Sequence, residues 1–209
     1  SIQMIDANTG YLTGLSTAYK TTNGGVSWFS LGIFNSTSST SSTNLNFVNS
    51  NTGFISCSNG DICKTINGGL NWNVVNTSSS RLNSVNFFDM NTGLAAGNEG
   101  RILKSTDSGN SWFTVFNGIP DHFLSTAFID IQTYVAVGQN GIIFKSTNSG
   151  LNWLNLNSAV TFKEINSGEF IDQNTGYFFA AGEIIKTTNQ GLNWSVATID
   201  SAAGMTGGY

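Results

Sequence analysis

Short apolar stretches alternate with polar turns along the whole chain, and the alternation is clearest between residues 82 and 116. Residues 82–89 (LNSVNFFD), 93–97 (GLAAG), 101–105 (RILKS) and 112–116 (WFTVF) read as four strands. They are separated by Asp89-Met90-Asn91-Thr92-Gly93, Asn98-Glu99-Gly100 and Asp107-Ser108-Gly109, where Gly, Asn and Asp supply positive φ and local side-chain to backbone bonds. Four strands with a turn every 8–12 residues predict a β-sheet blade. No stretch carries a 3.6-residue apolar period, so no helix is expected.

The pattern repeats. Trp28, Trp72, Trp112, Trp153 and Trp194 are spaced by 44, 40, 41 and 41 residues, a period that marks a repeat array. The low-complexity stretch 36–43 (STSSTSST) between the first two units accounts for the one long step. In the first predicted strand the column Met4, Phe47, Phe87, Phe128, Phe170 is apolar, and so is Ile5, Val48, Phe88, Ile129, Ile171. Neighbouring columns point to opposite faces, so both faces are buried, as when sheets stack. The polar positions beside them, including Gln3, Asn46, Asn86 and Glu169, are then expected to look into a central channel.

Each unit ends its third strand with the same phrase, Ser/Thr-x-Asp/Asn-x-Gly-x-x-Trp. The copies are Thr21, Asn23, Gly25, Trp28; Thr65, Asn67, Gly69, Trp72; Ser105, Asp107, Gly109, Trp112; Ser146, Asn148, Gly150, Trp153; and Thr187, Asn189, Gly191, Trp194. A short acceptor side chain folds the hairpin, Gly takes positive φ, and Trp packs between sheets. The phrase identifies the units as resembling Asp-box, or bacterial neuraminidase, repeats. With the Phe-x-Asp-x-Asn-Thr-Gly phrase they are similar to the photosystem II stability and assembly factor family. The resemblance spans residues 1–199 and implies a β-propeller with the boxes on outer hairpins, away from the binding face.

The fold class expected is therefore all-β, a five-bladed β-propeller with four antiparallel strands per blade. The blades run at about 1–35, 44–77, 81–117, 122–158 and 162–199 of one domain, with a tail at 200–209. The tail either latches the ring or the chain is an arc of a larger array. The sequence opens at Ser1 with no basic and apolar leader, which is the expectation for a piece from which any secretion signal has been removed.

Composition narrows the chemistry. Charged residues are only 10% of the chain and the net charge is −4, with the lysines Lys20, Lys64, Lys104, Lys145 and Lys186 spread one per unit. Nucleic acid needs a concentrated basic face, so it is disfavoured, and no apolar run is long enough to span a bilayer. Arg81 and Arg101 are the only arginines. The three-arginine clamp that the resemblance to sialidases implies cannot be built, nor can the arginine-rich partner face implied by the assembly factors. A carboxylate pair for glycoside hydrolysis has Glu164, Glu169, Asp121 and Asp130 as candidates. A triad of Asp121, His122 and Ser125 is disfavoured because neighbours in sequence diverge in direction. One histidine and scattered acids suggest no metal site, and no cofactor is expected. Cys57 and Cys63 flank a turn and are either a disulfide or two small buried apolar residues. Asn35, Asn76 and Asn193 head glycosylation triplets.

The function expected is a non-catalytic secreted or cell-surface module that recognises a glycan or a protein ligand. The contacts are expected at the channel mouth, through Gln3, Asn46, Asn86 and Glu169 and the loop residues Arg81, Asp121, His122, Lys163 and Glu164. The alternatives are a self-associating spacer of a surface appendage and, third, a glycosidase.

Overall fold

A computed structural model describes residues 1–34, 40–156 and 160–197. It contains five sheets, each of four strands in sequence order: β1–β4 within residues 2–33, β5–β8 within 42–77, β9–β12 within 82–116, β13–β16 within 123–155 and β17–β20 within 165–197. All pairings are antiparallel, as the hairpin turns require, and the architecture is a five-bladed β-propeller. In the third blade Leu94 of β10 (Gly93–Gly97) stands between Asn86 of β9 (Leu82–Phe87) and Lys104 of β11 (Ile102–Ser105).

The five innermost strands are β1 (Ile2–Met4), β5 (Ser42–Phe47), β9, β13 (Phe123–Phe128) and β17 (Ile165–Phe170). Four of them carry a bulge at the same place, leaving Thr43, Asn83, Leu124 and Asn166 as the extra residue. A bulge re-aims a side chain. Here it turns Thr43 Oγ1 to donate to the Leu82 carbonyl at 2.7 Å and Asn83 Nδ2 to donate to the Phe123 carbonyl at 2.8 Å, each in the next blade.

The core lies between blades. One apolar cluster joins the first and second blades around Tyr11, Phe47 and Ile55, a second joins the second and third around Phe54, Leu82 and Val85, and two more join the remaining neighbours. Four of the box tryptophans, Trp72, Trp112, Trp153 and Trp194, sit at these seams. Trp72 meets Phe47 edge-on at 5.9 Å, and Trp112 meets Phe87 at 5.7 Å. Among the described residues no such cluster, hydrogen bond or ring contact joins the fifth blade to the first.

The boxes fold as their residues dictate. Ser105 Oγ accepts the Gly109 N–H at 2.9 Å and donates to Asp107 Oδ1 at 2.8 Å, which itself accepts the Ser111 N–H at 3.0 Å. In the second blade Asn67 Oδ1 replaces it, accepting from Thr65 Oγ1 and the Asn71 N–H at 3.0 Å. One carbonyl-type oxygen suffices, so amide and carboxylate are interchangeable there. Each box also docks on its own blade's first turn, as in the Ser108 N–H to Asn91 carbonyl bond of 3.1 Å.

Cys57 and Cys63 are free, buried thiols, which corrects the disulfide alternative. The register pairs Cys63 with Ile55, so Cys57 lies two cross-strand pairs further along and is not opposite Cys63. The two thiols contact side by side in the first interblade cluster, and that contact and their burial push the Cys57 thiol far above its ordinary pKa. Tyr134, standing where the other blades have Gly, keeps the ordinary turn: Asp130 Oδ1 accepts from Gln132 and Thr133 as Asp89 does from Asn91 and Thr92. Its ring is fully buried and its hydroxyl donates to the Ile131 carbonyl at 2.7 Å.

Candidate functional site around the channel axis

The inner strands converge on an open cavity of about 510 Å3. Its wall combines the neutral polar residues Asn44, Asn86, Ser125, Thr126 and Ser167, the acidic Glu169, and the apolar residues Ile2, Phe87, Phe128, Phe170 and Phe179. A smaller groove of about 440 Å3 opens at the turn end of the first three blades, beside Gln3, Asn46, Phe88 and Met90.

The polar columns expected to face a ligand are partly consumed in holding blades together. Gln3 accepts the Phe47 N–H at 2.6 Å through Oε1 and donates to the Phe47 carbonyl at 3.1 Å through Nε2. Asn86 Nδ2 donates to the Thr126 carbonyl at 2.9 Å and its hydroxyl at 3.2 Å. Asn44, outside the candidate set, accepts the Val85 N–H at 3.1 Å. These amides replace a main-chain ladder between sheets that do not pair directly. Asn46 is different: its Oδ1 is shielded from solvent and has no hydrogen-bond partner among the described residues. Glu169 is exposed on the cavity wall.

The loop candidates cluster at the opposite end from the boxes, where the chain enters each first strand. Arg81 is exposed and donates from Nε to Asn83 Oδ1 at 2.8 Å, while Arg101 reaches Ser78 Oγ at 2.9 Å. Asp121 Oδ1 accepts from Asn140 Nδ2 at 2.7 Å, and His122 Nδ1 accepts the Glu99 N–H at 3.3 Å. Neither bond is to Ser125, so His122 is tied to its neighbouring turn and not to a nucleophile. Lys163 pairs with Glu183 at 2.6 Å; that lysine and the Thr161 hydroxyl hold the Glu183 carboxyl below the usual carboxylate range. Glu164 stands 3.5 Å from Gln139 Nε2.

Two of the acids proposed for a carboxylate pair are far apart along the chain. Glu164, just before β17, and Glu169 within it are five positions apart, about 16 Å at strand rise, well beyond the roughly 5–9.5 Å that glycoside hydrolysis uses. Asp130 sits in the turn at the far end of β13 from Asp121, its oxygen occupied by main-chain N–H groups. Among the described residues no group of three or more His, Cys, Asp or Glu side chains is placed to hold a metal ion, and no helix is long and apolar enough to cross a membrane.

One functional set escaped the sequence reading. The repeated lysine reaches across three of the four seams to the next box: Lys64 Nζ donates to the Ser108 carbonyl at 2.8 Å, Lys104 to Ser149 at 2.8 Å and Lys145 to Gln190 at 2.7 Å. Burial lowers the pKa of Lys64 and Lys145, with Asp107 and Asp130 opposing the shift. The recurrence of one lysine at a constant offset before the box was the available signal.

Residues 33–172 match the model of the family described as photosynthesis system II assembly factor YCF48. No curated protein matches in sequence. Among solved structures, one described as YCF48 bound to D1 peptide is 16% identical and superposes with a TM-score of 0.65, covering 94% of this chain and 81% of that one. YCF48 from Cyanidioschyzon merolae is 16% identical with a TM-score of 0.72 over 90% of this chain and 68% of that one. An ancestral GH74 enzyme is 22% identical with a TM-score of 0.74; the alignment covers 95% of this chain but only 31% of the enzyme. At these identities the likeness is one of fold.

Proposed function

The chain belongs to the photosynthesis system II assembly factor YCF48 family, and from that premise we propose that it is a non-catalytic module that binds an extended protein segment in the axial cavity. The observation that carries this reading is the wall of that cavity. Phe87, Phe128 and Phe170, whose rings also pack into the seams between blades, and the exposed Phe179 line it together with neutral hydrogen-bonding groups and a single carboxylate, Glu169. Such a surface suits a peptide, whose backbone offers both donors and acceptors and whose side chains fill apolar gaps. The volume of about 510 Å3 accommodates a few residues. That a structural neighbour is described as bound to a D1 peptide supports the ligand class.

The low charge supports a ligand recognised without electrostatic steering, because the loop charges Lys163 and Glu183 neutralise each other. An exported setting, extracellular or periplasmic, fits the amide-rich surface. The spacing of Glu164 from Glu169 and the engagement of the Asp130 oxygen by main-chain N–H groups support a binding role over hydrolysis.

An array of unbiased 15-residue peptides, read against the unaltered chain and against Ser167→Trp and Glu169→Ala, tests the reading. Peptide binding weakened at least tenfold by Ser167→Trp, which fills the cavity, is the expected result. Binding that ignores Ser167→Trp, or binding only on a parallel glycan array, overturns it.

A further inference from the structure

The inner strands of the second, third and fourth blades are each held along their channel edge by side chains of the blade before. Gln3 takes both the N–H and the carbonyl of Phe47, Asn44 takes the Val85 N–H, and Asn86 takes the Thr126 carbonyl. At the bulge, Thr43 and Asn83 bond the Leu82 and Phe123 carbonyls in the same way. The internal seam between the fourth and fifth blades departs from this plan. Both donor positions of the fourth blade are apolar, with Leu124 at the bulge and Ala127 in the place of Asn86. The receiving residue differs too, since Gly168 of β17 stands where the earlier blades have Val85 and Thr126.

The edge left open there has a defined pattern. The Ile171 N–H donates to the Thr175 carbonyl at 2.9 Å, which fixes the phase of the β17–β18 ladder. Hydrogen-bonded and non-hydrogen-bonded pairs alternate between antiparallel strands. Glu169 therefore bonds to Tyr177, whereas Gly168 and Phe170, opposite Phe178 and Gly176, turn their N–H and C=O groups away from β18. Among the described residues none of these four groups has a hydrogen-bond partner. Ala127, Gly168 and Phe170 all line the axial cavity. A Cβ at Gly168 would run into the Phe178 ring and the Tyr177 carbonyl, so the main chain there stays bare.

We propose that the segment bound in the axial cavity pairs main chain to main chain with β17, as a strand added at Gly168 and Phe170. This mode of binding rests on the peptide reading above and adds how the peptide is held. Two N–H and C=O sets on alternate residues, about 7 Å apart at strand rise, match the spacing of an extended polypeptide. Strand addition draws its affinity from main-chain bonds, which fits a wall with a single carboxylate and otherwise neutral groups. Ala127 matters by what it omits: an amide at that position would occupy the Gly168 carbonyl from within the protein, as Asn86 occupies that of Thr126.

The tightest-binding 15-residue peptide from the array, resynthesised with a single N-methyl group at each position in turn, tests this pairing on the unaltered chain. Binding should weaken roughly tenfold or more at two positions two residues apart and change little at the residue between them, because each N-methyl group removes one main-chain donor. The Gly168 and Phe170 amides should exchange with solvent faster than that of Glu169 in the free chain and become protected when the peptide is added. Ala127→Asn should weaken binding of the unmethylated peptide, and the N-methyl scan decides the matter even if that variant does not fold. A scan without the two-residue pattern, or no added protection at Gly168 and Phe170, overturns the pairing; if Ser167→Trp still blocks binding, the peptide reading stands without it. If no peptide binds, both fall together.

Discussion

Lys104 of the third blade donates from Nζ to the main-chain carbonyl of Ser149 in the fourth, 2.8 Å away and 45 residues along the chain. Lys104 is only 8% exposed, so the bond is made where water cannot replace it. Lys104→Met keeps most of the buried stem but leaves that carbonyl without its donor. The expected loss is about 1–3 kcal/mol of unfolding free energy, measured by urea denaturation. Lys186→Met, in the fifth blade, where the lysine makes no such bond among the described residues, should change the same measurement little.

Asp107 carries a prediction in acid. The hydroxyl and N–H of Ser111 lead the interactions that hold its carboxyl down to about 2, from an ordinary 3.8. A carboxyl depressed in the folded state contributes stability above its unfolded pKa and loses it as pH falls toward the folded value. The melting temperature should therefore fall between about pH 4 and pH 2. Asp107→Asn, which reproduces the acceptor found in the other four boxes, should match the unaltered chain near pH 7 and show a shallower acid decline.

Tyr134 fills space that a Phe ring occupies over the turn Gly in neighbouring blades, as Phe87 does over Gly93. Restoring the repeat consensus with Tyr134→Gly should therefore destabilise the protein, by about 3–5 kcal/mol as for other buried aromatic truncations. Tyr134→Phe removes only the hydrogen bond to Ile131 and should cost about 1 kcal/mol. Chemical denaturation of the pair separates packing from bonding.

Cys57 and Cys63 should both resist a thiol reagent in the folded protein and react fully in denaturant, because both are buried and the Cys57 thiol is held protonated. Rapid reaction of either thiol in native buffer would place it at the surface.

Much of the fold is legible in the residues because the forces that shape a blade are local. Asp89 caps its turn through residues two and three positions on, and Ser105, Asp107 and Gly109 close a hairpin within five residues. Their spacing alone therefore determined five blades, the strand positions and the structural role of the box. The candidate site was harder to read. Gln3 and Asn86 were correctly placed on inner strands, yet their bonds go to Phe47 and Thr126, 44 and 40 residues away. A repeat shows that such residues recur, and only the packed sheets show what they touch. The same holds for the lysine clasps, the unpaired Asn46 oxygen and the free thiols, whose two-pair offset depends on register. Tertiary structure alone decided that Tyr177 is half-buried and Ile2 63% exposed while their counterparts Tyr11 and Leu45 are buried, because burial is a property of the neighbour and not of the residue.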